Sequence, residues 1–301
     1  MIILNDITIN DKALFDKKIN YKFDNSEATF ANLFMWRKSS KTKYTIINDS
    51  LVIFYNKSDG RKACCFPFGC DDTKEIVDKI KEYFDTQNVD FIMESVTENK
   101  ANKLLNIYGN KITVIPEPNL FDYVYYSEKL IKLAGKKLHS KRNHINKFKS
   151  LYNYKYEKIT SDTALECLKK ADEWLISKYI DENDNDYISE ITALKEVFNN
   201  YDKLNLAGGL IRVEGEIIAF SVGEKLNVNT FVTHIEKADT AYQGAYTVIN
   251  NEFAKNECLS FKYINREEDM GIEGIRKAKL SYYPDKMIKK YMIQFKEKWL
   301  C

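Results

Sequence analysis

One carboxylate and two phenols in the last quarter of the chain are suited to proton-transfer chemistry. Glu236 follows a run of alternating β-branched and aromatic residues and could accept a proton directly or through a water molecule. Tyr282 and Tyr283 come directly before a proline, where a phenol hydroxyl could protonate a leaving group. Two plainer interpretations stay open: Glu236 could form an ordinary ion pair with Lys237, and the tyrosines could simply fill the core. We take these three residues as candidate catalytic groups.

A second group of polar residues follows the next predicted strand. Ligands of α/β sheets bind beyond strand ends, and four side chains here could bind an acceptor: Asn265, Arg266, Asp269 and Lys279. Arg266 could hold a carboxylate or phosphate through two parallel hydrogen bonds. Alternatively, it could pair with an acid that follows it, Glu267, Glu268 or Asp269. Lys277 and Lys279 lie two residues apart on a predicted helix, so at most one of them faces a cleft.

These residues belong to a strand–helix–strand unit over residues 228–264. Val228 to Ile235 alternate as a strand, Ala245 opens an apolar stripe with helical spacing, and Leu259 to Ile264 form a second strand. The first turn of such a helix leaves N–H groups unpaired at the positive end of the helix dipole, and a phosphate fits there. The residues at this helix entrance are therefore candidate donor-binding groups: Gln243, Gly244, Ala245 and Tyr246. An ordinary crossover connection is the alternative.

The stretch from Lys129 to Lys149 contains eight lysines and arginines and no acid. Interleaved leucines and other apolar residues predict two short amphipathic helices hinged near Gly135. Most charge runs are solvated helix faces. In a chain whose net charge is only +2, however, this asymmetry favours a surface that faces an anion. Its candidate donor-binding residues are Lys136, Lys137, Arg142 and Asn143.

The bulk properties of the sequence limit the class of protein. Its 301 residues suggest two domains, and its small net charge gives no argument for nucleic-acid binding by the whole chain. No apolar run is long enough to span a membrane, and the first residues lack a basic-then-apolar leader, so we expect a cytoplasmic protein without integral membrane association. The six cysteines lack paired metal-ligand spacing, and we expect no metal.

The order of predicted elements is similar in the two halves of the chain. Each half contains a helix, a three-strand meander, a helix, a strand, another helix and a last strand. This order predicts an α/β (α+β) protein with two similar domains, each a mixed, mostly antiparallel sheet flanked by helices. We place the N-terminal domain at residues 1–125 and the C-terminal domain at residues 126–301.

Two blocks of sequence resemble a known family. One runs from Asn265 to Lys279 and continues to Tyr282-Tyr283-Pro284, and the other runs from Gly135 to Phe148. Both are similar to the C-terminal domain of bacterial phosphatidylglycerol lysyltransferases and their uncharacterised cytoplasmic relatives. The resemblance implies a tandem GNAT fold that transfers an acyl or aminoacyl group, from acyl-CoA or aminoacyl-tRNA, to an amine or hydroxyl acceptor. Membrane-bound members use aminoacyl-tRNA to modify a lipid, but the sequence shows no membrane-spanning half.

The sequence departs from the usual acetyl-CoA loop, Arg/Gln-x-x-Gly-x-Gly/Ala. With Gly244 as the central glycine, Ala241 and Tyr246 occupy the first and last positions. This departure keeps a second hypothesis open, in which the chain binds tRNA or another RNA through the basic stretch and has a degenerate acyl site. A third is attachment of the same stretch to an anionic membrane surface. We expect a small-molecule or peptide acceptor and possible tRNA binding, and the oligomeric state stays open.

Overall fold

The computed structural model describes residues 2–20, 22–69, 72–179 and 184–297. The chain divides into two compact units. The first unit contains Met1–Asp122, Glu268–Gly271 and Ile288–Cys301. The second contains Tyr123–Glu267 and Ile272–Met287. Neither unit is a single continuous segment, and the domain boundary at residues 125 and 126 stays a prediction.

The strands of the described residues form two sheets. In chain order the strands are β1 (Asn5–Asp6), β2 (Lys43–Ile47), β3 (Ser50–Asn56), β4 (Lys62–Cys65), β5 (Met93–Thr97), β6 (Ile112–Pro116), β7 (Asp122–Tyr126), β8 (Tyr154–Lys158), β9 (Ala207–Val213), β10 (Glu216–Lys225), β11 (Thr230–Ala238), β12 (Tyr263–Asn265), β13 (Lys286–Ile288) and β14 (Lys290–Phe295).

The α-helices of the same residues cover both sheets. They are α1 (Lys12–Ile19), α2 (Phe30–Trp36), α3 (Thr73–Thr86), α4 (Glu98–Tyr108), α5 (Ser127–Lys132), α6 (His139–Leu151), α7 (Ser161–Lys178), α8 (Asn185–Asn199), α9 (Tyr201–Leu204), α10 (Ala245–Glu257) and α11 (Glu273–Leu280). None of the helices in the described ranges is long and apolar enough to cross a membrane.

The first sheet has the strand order β1-β2-β3-β4-β5-β14-β6. β4 and β5 pair in parallel, and the other neighbouring strands pair antiparallel. Helix α3 packs on this sheet because Ile76, Ile80 and Phe84 recur every fourth residue and are all buried. Its first turn is capped by Asp72, whose carboxylate accepts a hydrogen bond from the Glu75 N–H.

The second sheet has the strand order β13-β7-β12-β11-β10-β9-β8. β11 and β12 pair in parallel, whereas the pairs β8–β9, β9–β10, β10–β11 and β12–β7 are antiparallel. Helix α10 connects the two parallel strands and buries Val248, Ile249 and Phe253 against the sheet. The predicted strand–helix–strand unit is therefore present, with a first strand that continues to Ala238 and a second that begins at Tyr263.

Each sheet takes one strand from a distant part of the sequence. Five strands follow one another in chain order and end in a parallel pair: β1 to β5 in the first sheet and β8 to β12 in the second. The next position is filled by β14 in the first sheet and by β7 in the second. The predicted mixed, mostly antiparallel sheets with flanking helices are confirmed.

The basic stretch has the predicted hinge. Helices α5 and α6 flank Gly135, which has a φ of 85°, a conformation that glycine adopts without steric cost. Leu130, Leu138, Ile145 and Phe148 are buried and form the inner face of this region. Because the chain bends at this hinge, the apolar residues of both helices pack into the same core.

Candidate active site

A β-bulge in β11 directs Glu236 toward helix α10. Ile235 lies opposite Val222 and Thr233 opposite Gly223, so His234 is an extra residue in the pairing. The bulge shifts the alternation of side chains, and both Phe231 before it and Ala238 after it belong to the core beneath α10. Gly223 is required here, because a Cβ atom on it would lie 2.1 Å from the Val232 carbonyl oxygen.

Glu236 forms a buried ion pair with Arg266. The Arg266 Nη2 atom lies 2.7 Å from Oε1 of Glu236, and the two side chains are 10% and 15% exposed. The amide of Asn250 on α10 donates to the other carboxylate oxygen at 2.9 Å. The alternative pairing of Glu236 with Lys237 is wrong, since Lys237 instead contacts Glu190. The partner of Arg266 is likewise not one of the three acids that directly follow it.

Two atoms of this group lack a hydrogen-bond partner within the described residues. They are Nη1 of Arg266 and Oδ1 of Asn250, and both are buried. An unsatisfied buried donor or acceptor costs about 1–3 kcal/mol. Burial lowers the pKa of the guanidinium, but the neighbouring Glu236 charge outweighs this effect, and the pKa is raised overall. Arg266 is therefore a charged side chain with a free N–H group inside the protein.

Tyr282 lies against the same guanidinium. Its side chain is 5% exposed, and the Arg266 Cζ atom lies 5.1 Å from its ring centroid. Burial raises the pKa of the phenol to about 12, although the Arg266 charge and a hydrogen bond with Thr247 act in the opposite direction. The Tyr125 ring, 5.8 Å from the Arg266 Cζ atom, contributes a second aromatic contact. Glu236, Arg266 and Tyr282 are thus brought together as candidates.

Tyr283 differs from its neighbour. It is 44% exposed, has a φ of 55°, and has the ammonium of Lys137 5.3 Å from its ring centroid. Its carbonyl oxygen accepts a hydrogen bond from Lys129. Adjacent residues of one type therefore have different surroundings: Tyr282 points into the protein beside Arg266, and Tyr283 lies on the surface.

Lys141 of α6 also reaches the site. Its ammonium lies 4.1 Å from the centroid of the Tyr282 ring. Burial lowers the pKa of Lys141, and the Arg266 charge lowers it further. Sequence analysis did not single out this lysine within the basic stretch. The helical spacing indicates its position, because Lys141 lies three residues after Leu138 and four before Ile145, and both of these are buried. Residues at this spacing share one face of a helix.

The helix entrance at Gly244 is enclosed by protein. Gly244 has a φ of 96°, and a Cβ atom on it would lie 3.0 Å from the His144 carbonyl oxygen of α6. The N–H of Ala245 donates to the Tyr242 carbonyl oxygen, so it is not free for a phosphate. Gln243 and Tyr246 remain exposed. A bulky substitution at Gly244 would therefore disturb the packing of α6, whether or not a donor binds there.

The candidates of the basic stretch divide into two kinds. Lys136, Lys137 and Asn143 are exposed. The guanidinium of Arg142 instead donates to the carbonyl oxygens of Leu133 and Gly135, the latter at 2.8 Å. Arg142 thereby ties helix α6 to the end of α5, and its substitution would loosen the hinge as well as remove a charge.

The remaining acceptor candidates have local partners. Asn265 is fully buried and accepts a hydrogen bond from the Glu267 N–H at 2.8 Å. Lys279 donates to the Arg266 carbonyl oxygen, whereas Lys277 pairs with Glu273 at 2.6 Å on an exposed face. Asp269 belongs to the first compact unit, where its carboxylate accepts from the Gly271 N–H at 2.8 Å. Of the four, Arg266 has an unused polar atom, and Lys279 positions its backbone.

His234, at the bulge, lies between two carboxylates. Its Nδ1 atom lies 2.7 Å from Glu267 and its Nε2 atom 3.0 Å from Glu224, and its side chain is 1% exposed. Burial lowers the pKa of His234, but the two glutamates outweigh this effect and raise it to about 10. The charged imidazole therefore connects β10, β11 and the segment after β12. No group of three or more metal-ligating side chains occurs within the described ranges.

Comparisons with known proteins identify the family. Residues 19–294 match the family described as phosphatidylglycerol lysyltransferase, C-terminal. The chain belongs to this family. An uncharacterised protein of Mycoplasmoides gallisepticum is 28% identical over 174 residues, and the match covers 58% of this chain and 56% of that relative's length. The chain thus spans little more than half the length of this curated relative.

Solved structures confirm the tandem GNAT fold. A conserved protein of unknown function from Bacteroides thetaiotaomicron is 38% identical, with a TM-score of 0.92 and coverage of 98% of this chain and 100% of that one. The L-PGS of Bacillus licheniformis is 14% identical, with a TM-score of 0.67 and coverage of 99% and 95%. A tandem GNAT protein from the clavulanic acid biosynthesis pathway is 7% identical, with a TM-score of 0.50 and coverage of 98% of each chain. The fold is therefore GNAT-like, in agreement with the resemblance seen in the sequence.

Proposed function

We propose that the chain transfers an acyl or aminoacyl group, from acyl-CoA or aminoacyl-tRNA, to an amine or hydroxyl acceptor. The observation that supports this proposal is the convergence of Glu236, Arg266 and Tyr282 where β11 bulges and β12 ends. Acyl transfer needs a base for the acceptor, stabilisation of the developing oxyanion and an acid for the leaving group. The three side chains offer one group for each need.

In this proposal the positive charge of the Arg266 guanidinium stabilises the charge that develops on the carbonyl oxygen. Such a charge acts most strongly in a site that excludes water. Glu236 accepts the proton of the acceptor, directly or through a water molecule, and also holds the guanidinium in place at 2.7 Å. Tyr282 protonates the leaving group from its position against the same guanidinium.

The phenol of Tyr282 favours an ester donor over a thioester. With a pKa of about 12, it stays protonated at neutral pH and is a weak acid. Proton transfer is efficient when donor and acceptor are matched in basicity. A ribose alkoxide, the leaving group of aminoacyl-tRNA, is a much stronger base than the thiolate that leaves from acyl-CoA. We therefore favour aminoacyl-tRNA as the donor.

The exposed surface of α6 and of the turn before it supports a large polyanionic donor. Lys136, Lys137, Lys147 and Lys149 are exposed, and no described acid lies within 4.0 Å of their ammonium groups. Cations in such an arrangement attract phosphates and release bound counterions when they bind them. The same surface also supports the second candidate, an RNA-binding protein that catalyses no transfer.

Transfer should be measured with radiolabelled aminoacyl-tRNA pools and acyl-CoAs as donors and with amines, peptides and hydroxyl compounds as acceptors. Because general acid–base groups contribute roughly 10²- to 10⁴-fold, we expect Glu236→Gln and Tyr282→Phe each to slow transfer at least about 100-fold. Tyr283→Phe is the matched control and should keep the wild-type rate. Wild-type rates in both test variants would refute the assigned roles. Salt-sensitive tRNA binding without transfer would favour the RNA-binding alternative.

A further inference from the structure

We infer that Arg266 and Lys141 form a subsite for an anionic group, a carboxylate or a phosphate, carried by one of the substrates. The inference rests on the proposed function only in taking the bound anion to be part of a substrate. It goes beyond the Glu236–Arg266–Tyr282 group because it brings in a lysine from α6 and assigns a charge to the ligand.

The two cations lie on one aromatic ring. The centroid of the Tyr282 ring is 4.1 Å from the Lys141 ammonium and 5.1 Å from the Arg266 Cζ atom. Each cation is attracted to the negative face of the ring. The two positive charges also repel each other in a site that is partly shielded from water. Lys141 is half-buried, so water screens this repulsion only in part. Two like charges held together in this way favour a negative charge between or beside them.

The protein neutralises only one of the two charges. Glu236 pairs with Arg266 at 2.7 Å, and its second oxygen is taken by the Asn250 amide. No carboxylate in the described part of the chain lies within 4.0 Å of the Lys141 ammonium. The group formed by Lys141, Arg266 and Glu236 therefore has one excess positive charge. This excess matches a singly charged anion such as a carboxylate or a phosphodiester.

The guanidinium also has a donor to offer. Arg266 is nine-tenths buried, and its Nη1 atom has no hydrogen-bond partner among the described residues. Folding leaves such a donor unsatisfied at a cost that a ligand oxygen would remove. The Lys141 ammonium, which lies 4.1 Å from the centroid of the Tyr282 ring, would complete the contact. A carboxylate or phosphate oxygen satisfies both groups, whereas a cationic or apolar ligand satisfies neither.

Anion binding can be measured without any donor or turnover. We would titrate the full chain with inorganic phosphate, acetate and, as a cation control, methylammonium, and follow binding by NMR. We expect phosphate and acetate to bind and methylammonium not to bind. Lys141→Met should weaken anion binding at least about tenfold, since hydrogen bonds to charged groups are among the strongest. Lys103→Met, on the exposed face of α4, should leave the affinity unchanged.

A second variant guards against misfolding effects. Arg266→Lys keeps the charge but not the planar fork, so we expect it to weaken phosphate binding while the chain stays folded. Competition of phosphate by uncharged tRNA or CoA would assign the subsite to the donor, and its absence would assign the subsite to the acceptor. The inference is overturned if phosphate and acetate fail to bind the wild-type chain, or if Lys141→Met binds them as tightly as Lys103→Met does. Anion binding without transfer in any donor assay would keep the subsite and refute the transferase.

Discussion

Lys290 in the first compact unit and Arg266 in the second are both buried cations within polar groups, and they differ in how completely their hydrogen bonds are satisfied. In the first unit, Lys290 is fully buried, and its ammonium lies 2.6 Å from both Glu27 and Asp122 and 3.6 Å from Glu268. It also contacts the Ser26 hydroxyl at 3.3 Å. In the second unit, Arg266 has one carboxylate partner and one N–H group without a partner.

This difference separates a cation that holds the fold from one that we propose binds a ligand. An ammonium has three donors, and Lys290 has at least that many oxygen partners. A guanidinium has five donors, and Arg266 leaves one of its terminal nitrogens unused inside the protein. Burial alone does not make the distinction, since both side chains are nine-tenths buried or more. The two side chains are distinguished by whether all of their hydrogen-bond donors have partners.

The largest effect that we expect comes from breaking the saturated group. Lys290→Met removes the ammonium and leaves the carboxylate of Asp122, which is fully buried, without its 2.6 Å cation contact. Loss of one partner from a buried ion pair typically costs about 3–5 kcal/mol, and we expect a loss of this size in the free energy of unfolding, measured with urea. Lys289→Met is the control, because its ion pair with Glu98 is exposed, and it should change stability little. Equal effects of the two substitutions would show that Lys290 does not hold the first unit together.

An effect of at most comparable size should appear when the pH removes the charge of His234. Its pKa is about 10 in the folded protein, against an ordinary value of 6.5. Because the folded pKa is raised, this histidine contributes its full stabilisation below about pH 6.5 and loses it as the pH rises towards 10. We expect the difference in unfolding free energy between wild type and His234→Gln to shrink across this window, by about 1.4 kcal/mol per pKa unit at most. A difference that stays constant from pH 6.5 to 10 would show that the imidazole is not charged between its two glutamates.

The local elements of the second unit could be predicted from the sequence. Helical spacing in the basic stretch gave both short helices and the hinge at Gly135, because amphipathic patterns depend on nearby residues. The alternation of residues from Val228 to Ile235 predicted β11. The change to apolar residues at helical spacing from Ala245 predicted α10. The family resemblance supplied the tandem GNAT fold, which the comparisons confirm.

The side-chain contacts that form the site depend on long-range structure, which the local periodicity of the sequence does not predict. The Glu236–Arg266 pair joins residues 30 positions apart and exists because the bulge at His234 redirects one strand. Strict alternation gives no sign of an extra residue in β11, although Gly223 opposite it marks a close backbone approach. The placement of β14 in the first sheet is also non-local, because strand order depends on tertiary packing. Glu236, Arg266 and Tyr282 were predicted singly, and Lys141, which was missed, could have been found through its spacing from Leu138 and Ile145.

The smallest expected effect on stability, and a sharp test of the second unit, comes from the exposed surface of α6 and of the turn before it. Lys136, Lys137 and Lys147 are exposed and have no acid within 4.0 Å among the described residues, so their replacement by glutamine should leave the melting temperature nearly unchanged. If this surface holds tRNA phosphates, the triple substitution should weaken tRNA binding and reduce the slope of log affinity against log salt by roughly two to three. Arg142 stays unchanged in this design, because it ties the hinge to backbone carbonyls. A matched triple substitution of exposed lysines in the first unit, Lys62, Lys103 and Lys111 to glutamine, controls for the loss of net charge. An equal loss of tRNA affinity in both triple variants would mean that attraction depends on total charge, and it would remove the exposed surface of α6 and of the turn before it as a specific donor surface.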